Sequence, residues 1–143
     1  MIERLVLPDP LRDQIEQAAR AAFPRECCGL VEGVRDEQGA RVTAIHPARN
    51  LAPEADRFEI DPKDQVRVIR MLRGTGRDIV GCYHSHPNGR AEPSERDRES
   101  AFGEDFLWLI LALKQGEQGL KVQLGAFAIG PATIRELTVT AAA

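Results

Sequence analysis

Apolar positions change their period repeatedly along the chain, and that change alone lays out strands and helices. Residues 2–7 alternate weakly and read as a first strand. Asp9-Pro10 then supplies an N-cap and a proline suited to the first helical position, so a helix is predicted from Pro10. Leu11, Ile15, Ala18, Ala19 and Ala22 form one apolar stripe along it, and Pro24 ends the pattern. The run Pro24 to Gly33 turns apolar just after Glu26, which places Glu26 at a strand end. A polar stretch, Arg35 to Gly39, separates it from the alternating Val42, Ala44 and His46, and a hairpin follows from that spacing. Residues 47–60 read as a loop long enough to have a functional role.

Asp61-Pro62 repeats the cap-then-proline signal, and Val66, Ile69 and Leu72 give the second helix its stripe as far as Gly74. Ile79 to His86 is a strand ended by Pro87. Its alternation puts Ile79, Gly81, Tyr83 and Ser85 on one face and Val80, Cys82, His84 and His86 on the other. Ser94 to Gly103 is a short charged helix candidate. The unbroken apolar run from Phe106 to Ala112 suits a strand buried on both faces. Turns at 116–119 and at Gly130-Pro131 then divide Leu120 to Ile129 from Thr133 to Val139, a C-terminal meander.

Composition narrows the classes this chain can belong to. With 143 residues and 43% apolar content it can build one core, and a single domain spanning 1–143 is expected. Nineteen basic against twenty-two acidic residues give a net charge of −3. That charge disfavours nucleic acid and anionic membrane surfaces, and leaves protein or small-molecule partners. The first residues lack the order of a signal peptide, no apolar run approaches membrane-spanning length, and a cytoplasmic protein is expected. Cys27, Cys28 and Cys82 make neither an even disulfide framework nor a Cys-x-x-Cys pair, which fits reduced thiols.

The chemistry is concentrated between Gly81 and Asp97. On a strand, His84 and His86 lie on one face about 6.6 Å apart, close enough for two imidazoles to converge on one ion. Ser94-x-x-Asp97 reads as a variant of the helix capping box and needs no metal for that role, but a cap also holds its carboxylate still. Two imidazole nitrogens and one carboxylate oxygen suit Zn²⁺, with the fourth position left to water as in catalytic sites. A metal-activated water still needs a proton shuttle. Glu26, Glu92, Glu95 and Glu99 are all candidates, and Glu26 stands out because it precedes an apolar strand where it could be buried near a cation.

Taken together, these residues resemble the JAMM (MPN+) metalloproteases. The motif of that family is an upstream Glu, then His-x-His-Pro, with seven residues between the second His and Ser-x-x-Asp; Pro87 to Pro93 are those seven. The resemblance implies that His84, His86 and Asp97 bind one zinc ion, that Glu26 is general base and acid, and that Ser94 helps to stabilise the oxyanion. It also implies an α/β fold, the cytidine-deaminase-like MPN (JAB) domain with a central mixed β-sheet flanked by helices.

Pro-x-Glu-Cys-Cys-Gly-Leu and Tyr-His-Ser-His-Pro are similar to the compact prokaryotic branch, which acts on ubiquitin-like sulfur-carrier proteins ending in Gly-Gly. The implied activity is that of an isopeptidase or carboxy-terminal peptidase cleaving after that tail, with the loop from Asn50 to Ile60 guiding the tail. The long insertions of the eukaryotic deubiquitinases are missing, and Cys82 stands where some relatives carry Trp. With only His46 left over, no second zinc site is expected, and His46 reads as a strand-end residue.

Three other readings compete. A thiol nucleophile beside a histidine is one, against which Cys27 and Cys28 read as buried strand residues. A non-catalytic MPN-type scaffold is another, although such scaffolds usually lack the ligand set that this chain keeps. A phage-tail or peptidoglycan-linked hydrolase is the third. The JAMM reading carries one sharp spatial requirement: folding must bring Glu26 beside His84 and His86.

Overall fold

The computed structural model describes residues 3–37, 39–95, 97, 106–130 and 133–141. Its elements are β1 (Arg4–Val6), α1 (Asp9–Ala22), β2 (Cys28–Arg35), β3 (Gly39–Ala48), α2 (Pro62–Leu72), β4 (Asp78–His86), β5 (Leu107–Gly116), β6 (Gly119–Ile129), β7 (Ile134–Glu136) and β8 (Thr138–Thr140). The strands form one mixed sheet in the order β7-β6-β5-β4-β2-β3-β1-β8. The predicted hairpin is β2–β3, antiparallel, and β4 lies antiparallel to β2 and parallel to β5.

Successive strand residues point to opposite faces, and the two helices cover one face each. Ile15 and Ala19 of α1 pack with Val31, Tyr83, Leu109 and Leu111. Val68 and Leu72 of α2 pack with Leu30 on the other side. In β5, Leu107, Leu109, Leu111 and Leu113 face α1, while Trp108 and Ile110 join Cys82 on the opposite face. Burial on both faces explains the unbroken apolar run, each fully buried Leu or Ile contributing roughly 1.5–3 kcal/mol.

Several expectations need correction. Helix α1 begins one residue early: Pro8 is its N-cap, its carbonyl accepting from the amides of Leu11 and Arg12, and Asp9 sits in the first turn without a side-chain cap bond. An acidic residue there still favours the positive end of the helix dipole. At α2 the cap is as predicted, Asp61 accepting from the Lys63 amide at 2.9 Å. Its inner line is Val68 and Leu72, however, and Val66 and Ile69 are 46% and 45% exposed. Only a narrow i, i+4 ridge meets the sheet, so of the 66-69-72 stripe only Leu72 is in contact, and Val66 and Ile69 are turned outward.

In β4, Val31 pairs with Gly81 but Glu32 pairs with Ile79, so Val80 is an extra residue. This bulge reverses the face assignment of the first two residues: Ile79 packs towards α2 and Val80 towards α1. From Cys82 on, the predicted alternation holds.

At the C-terminus, β6–β7 continues an antiparallel meander, but the chain leaves it at Leu137 and β8 pairs in parallel with β1. The two ends of the strand order are thus one residue apart in sequence, at most about 7.6 Å between Glu136 and Thr138, and the sheet curls round to bring its edges together. Leu137, buried in the α1-side core, anchors the crossing. Of the charged helix expected over Ser94 to Gly103, only residues 94, 95 and 97 lie within the described residues.

Candidate metal centre and active site

His84 and His86 stand at the C-terminal end of β4, on the face that carries Cys82 and Trp108. His84 is fully buried; the Phe58 ring stacks on it at 4.2 Å and Trp108 meets it edge-on at 5.9 Å. Burial holds its pKa below the ordinary imidazole value despite the Asp97 carboxylate, and a neutral imidazole is the form that offers a lone pair. His86 donates from Nδ1 to the Arg90 carbonyl at 2.9 Å, so in the neutral ring Nε2, on the side facing His84, carries the lone pair; burial lowers its pKa, but the Asp97 carboxylate and the Arg90 carbonyl outweigh that and raise it.

Asp97 completes the group. Its Oδ2 accepts from the Ser94 amide at 2.8 Å, and its own amide donates back to Ser94 Oγ at 3.1 Å, the reciprocal cap that the Ser-x-x-Asp spacing anticipates. The two Nε2 atoms lie 2.9 Å apart, and Asp97 Oδ2 lies 3.2 Å from His84 Nε2 and 3.3 Å from His86 Nε2. Donors at 2.0–2.1 Å around a tetrahedral zinc are separated by about 3.3 Å, so these three atoms have nearly the spacing of one tetrahedral face. Three such atoms turned towards one point, buried, and chemically N, N and O fit a zinc ion. Burial pushes the Asp97 carboxyl up, but the two imidazoles outweigh it and hold it well below the usual carboxylate range.

Glu26 arrives from the other side of the ladder. Cys28 pairs with His84, and the pairing continues beyond the strand: the Ser85 amide donates to the Cys27 carbonyl at 3.1 Å and the Cys27 amide to Ser85 Oγ at 2.8 Å. Two residues back, Glu26 comes level with His86. It is 7% exposed, and donor atoms of Glu26, His84 and His86 all lie within 4.8 Å of one another. Burial, reinforced by Asp97 and Asp56 and opposed by His86, pushes its carboxyl up to about 7. Such a carboxyl exchanges protons near neutral pH. Glu92 and Glu95 are exposed on the cleft rim, and Glu99 lies outside the described residues.

Glu26, His86 and Asp97 open on a cleft of about 1240 Å³, with His84 buried behind them. Residues 55–60 form one wall and residues 86–95, with Ser94, the other, over an apolar floor of Leu30, Cys82, Phe106 and Trp108. Strand β3 runs two residues into the predicted loop, to Ala48, and an isolated Asn50–Ile60 bridge closes the remainder at its neck. Phe58, the ring on His84, and Asn50 at that neck were not singled out from sequence, since nothing in the local pattern marks either.

The other candidates fall outside this chemistry. His46 is a β3 residue bonded at 3.1 Å to Glu32, which also accepts from Thr43 at 2.6 Å and Arg77 at 2.9 Å. All three cysteines are free thiols; burial pushes Cys28 up to about 12 and raises Cys27 and Cys82 as well. Protonated thiols are poor nucleophiles. No described helix is long and apolar enough to cross a membrane.

Comparison with known proteins identifies the family. The family model of prokaryotic homologues of the JAB domain matches residues 8–123. Desampylase of Haloferax volcanii is 38% identical over 112 residues, 75% of this chain and 79% of its own length. A probable TtuB-protein conjugate cleaving protease of Thermus thermophilus is 30% identical over 98 residues, 68% of this chain and 63% of its own. Tail tip assembly protein K of Escherichia phage N15 is 34% identical over 106 residues, 73% of this chain and only 40% of its own length. The solution structure of a Desulfitobacterium hafniense protein superposes with a TM-score of 0.80 at 30% identity, covering 97% of this chain and 91% of that one. The chain therefore belongs to the prokaryotic branch of the JAB (JAMM/MPN) family, with the mixed α/β fold expected of it.

Proposed function

We propose that this protein is a zinc-dependent metallopeptidase, a JAMM-type isopeptidase or carboxy-terminal peptidase that hydrolyses the amide bond after the Gly-Gly tail of a ubiquitin-like sulfur-carrier protein. The observation that carries this reading is the buried convergence of Glu26 with His84, His86 and Asp97 at the head of an open cleft. Relatives described as desampylase and conjugate-cleaving protease support the same class of reaction.

His84 Nε2, His86 Nε2 and an Asp97 oxygen would hold the ion. Zinc bound there would supply an activated water and a Lewis acid for the scissile carbonyl. Glu26, with its carboxyl near neutrality, takes the proton from the attacking water and returns it to the departing amine. Ser94 Oγ accepts from the Asp97 amide and keeps its own proton to donate to the carbonyl oxygen as that oxygen becomes anionic. The Phe58 and Trp108 rings exclude water from one side of His84. A narrow, extended tail is the form of substrate that suits a cleft walled by residues 55–60 and 86–95.

The test incubates zinc-loaded protein with a carrier protein extended beyond Gly-Gly and follows release of the extension by mass spectrometry. Cleavage that is lost in Glu26→Ala is the expected result. No cleavage by the wild type, or equal cleavage by the variant, overturns the mechanism.

A further inference from the structure

We propose that Asn50 is a positioning residue of this reaction, one amide that locks the backbone of Glu26 to the cleft wall carrying Phe58. The inference rests on the function proposed above. Its basis is a hydrogen-bond inventory with nothing left over. Asn50 Nδ2 donates to the Glu26 carbonyl at 3.0 Å and to the Arg57 carbonyl at 3.0 Å. Its Oδ1 accepts from the amides of Ala52 at 2.9 Å and Glu59 at 3.0 Å. Two carbonyls on the nitrogen and two amides on the oxygen use the full capacity of the group and admit only one orientation of it.

Register explains why a side chain does this. In the β2–β3 ladder Cys28 pairs with Ala48, so the position opposite Glu26 is Asn50, but β3 has already ended at Ala48. The Asn50 side chain takes the place of the lost backbone ladder. Glu26 is thereby held between two neighbours, His86 on the β4 side and Asn50 on the β3 side. The loop that Asn50 gathers is closed further by the Leu51 amide on the Glu59 carbonyl at 2.8 Å. Arg25, next to Glu26, adds a second tie, its Nη2 donating to the carbonyls of Ala52 at 3.0 Å and Pro53 at 2.9 Å. The general base and the wall beside it therefore move as one body. An Asp at position 50 cannot reproduce this, because both carbonyls would then face carboxylate oxygens.

The experiment compares zinc-loaded wild type, Asn50→Asp and Asn50→Ala on the extended carrier, reading kcat and KM separately, the pH profile of kcat, bound zinc and amide exchange at Ala52 and Glu59. Zinc content should stay at the wild-type level, since Asn50 touches none of His84, His86 and Asp97. In Asn50→Asp, kcat should fall by on the order of 10- to 100-fold, the cost of a misplaced group, with KM raised and the pH profile displaced. The Ala52 and Glu59 amides should lose their protection. Wild-type kcat, KM and pH profile in folded, zinc-loaded variants would overturn the inference, as would a loss of activity in folded variants that tracks lost zinc. Should the variants fail to fold, exchange in the wild type decides: Ala52 and Glu59 amides as fast as free peptide contradict the lock, and slow exchange supports it. A wild type that cleaves nothing defeats the proposed function itself, whereas active wild type with indifferent variants defeats only the role of Asn50.

Discussion

Glu26 comes level with His86 because β2 and β4 run antiparallel with Cys28 opposite His84. That one register joins residues sixty positions apart into a buried group with donor atoms within 4.8 Å of one another. A shift by one residue would turn Glu26 to the α1 face, where the core is apolar and no imidazole waits.

The first consequence concerns pH and the stability of the metal-free protein. The folded-state pKa of Glu26 is raised to about 7 from an unfolded value of about 4.5, so the folded state binds the extra proton across that interval. Its contribution is full below about pH 4.5 and is lost as pH rises through 7. Glu26→Gln, which cannot titrate, should gain up to about 3 kcal/mol relative to wild type over that range. Urea melts of both proteins at pH 4.5, 6 and 7.5, in chelator, measure the difference.

Removing Asp97 and removing the Ser94 hydroxyl should give different losses. Asp97→Ala takes away an oxygen donor, and zinc affinity should fall by more than about 100-fold, beyond what loss of an outer-shell partner costs. Ser94→Ala should keep zinc, lose about 1 kcal/mol from the cap, and lower kcat by roughly 10²–10³-fold if the hydroxyl serves the oxyanion. Competition titration of zinc and steady-state kinetics separate the two.

Gly29 is required by the ring of Tyr83. A Cβ at residue 29 would collide with the Tyr83 ring, which is fully buried. Gly29→Ala should destabilise the protein by about 1–3 kcal/mol or more. Because Tyr83 adjoins His84, zinc affinity should fall with it. Thermal melts with and without zinc show both effects.

Glu32 lies away from the cleft lining. Burial pushes its carboxyl up, but Thr43, His46 and Arg77 together hold it below the usual value. The stabilisation it provides is full above its unfolded pKa and is lost as pH falls through the lower folded one. Glu32→Ala should cost roughly 1–3 kcal/mol at neutral pH, less in acid, and leave kcat per folded molecule unchanged. A Tm-against-pH series for both proteins checks the sign.

Much of this molecule is legible in local sequence. The cap at Asp61, the α1 stripe through Ile15 and Ala19, the two-faced β5 and the Ser94–Asp97 cap all follow from interactions within a few residues, which spacing encodes directly. The convergence of His84 and His86 is equally local, since two positions along a strand share a face. Other features depend on partners far away in the chain. The bulge at Val80 shows only in the register against β2, and the exit of β8 to β1 only in the closure of the sheet. Glu26 already stands out in sequence, by its place before an apolar strand and by the family resemblance, but its burial beside His84 and His86, with Glu92 and Glu95 exposed, shows only in the fold, and Phe58 and Asn50 act across folds of the backbone that no periodicity reports. Sequence by itself determined the donor atoms and the short-range geometry that aims them. Tertiary structure decided how close Glu26 comes to them, how deeply it is buried and what holds it there, because strand register and loop closure are set by long-range packing and hydrogen bonding.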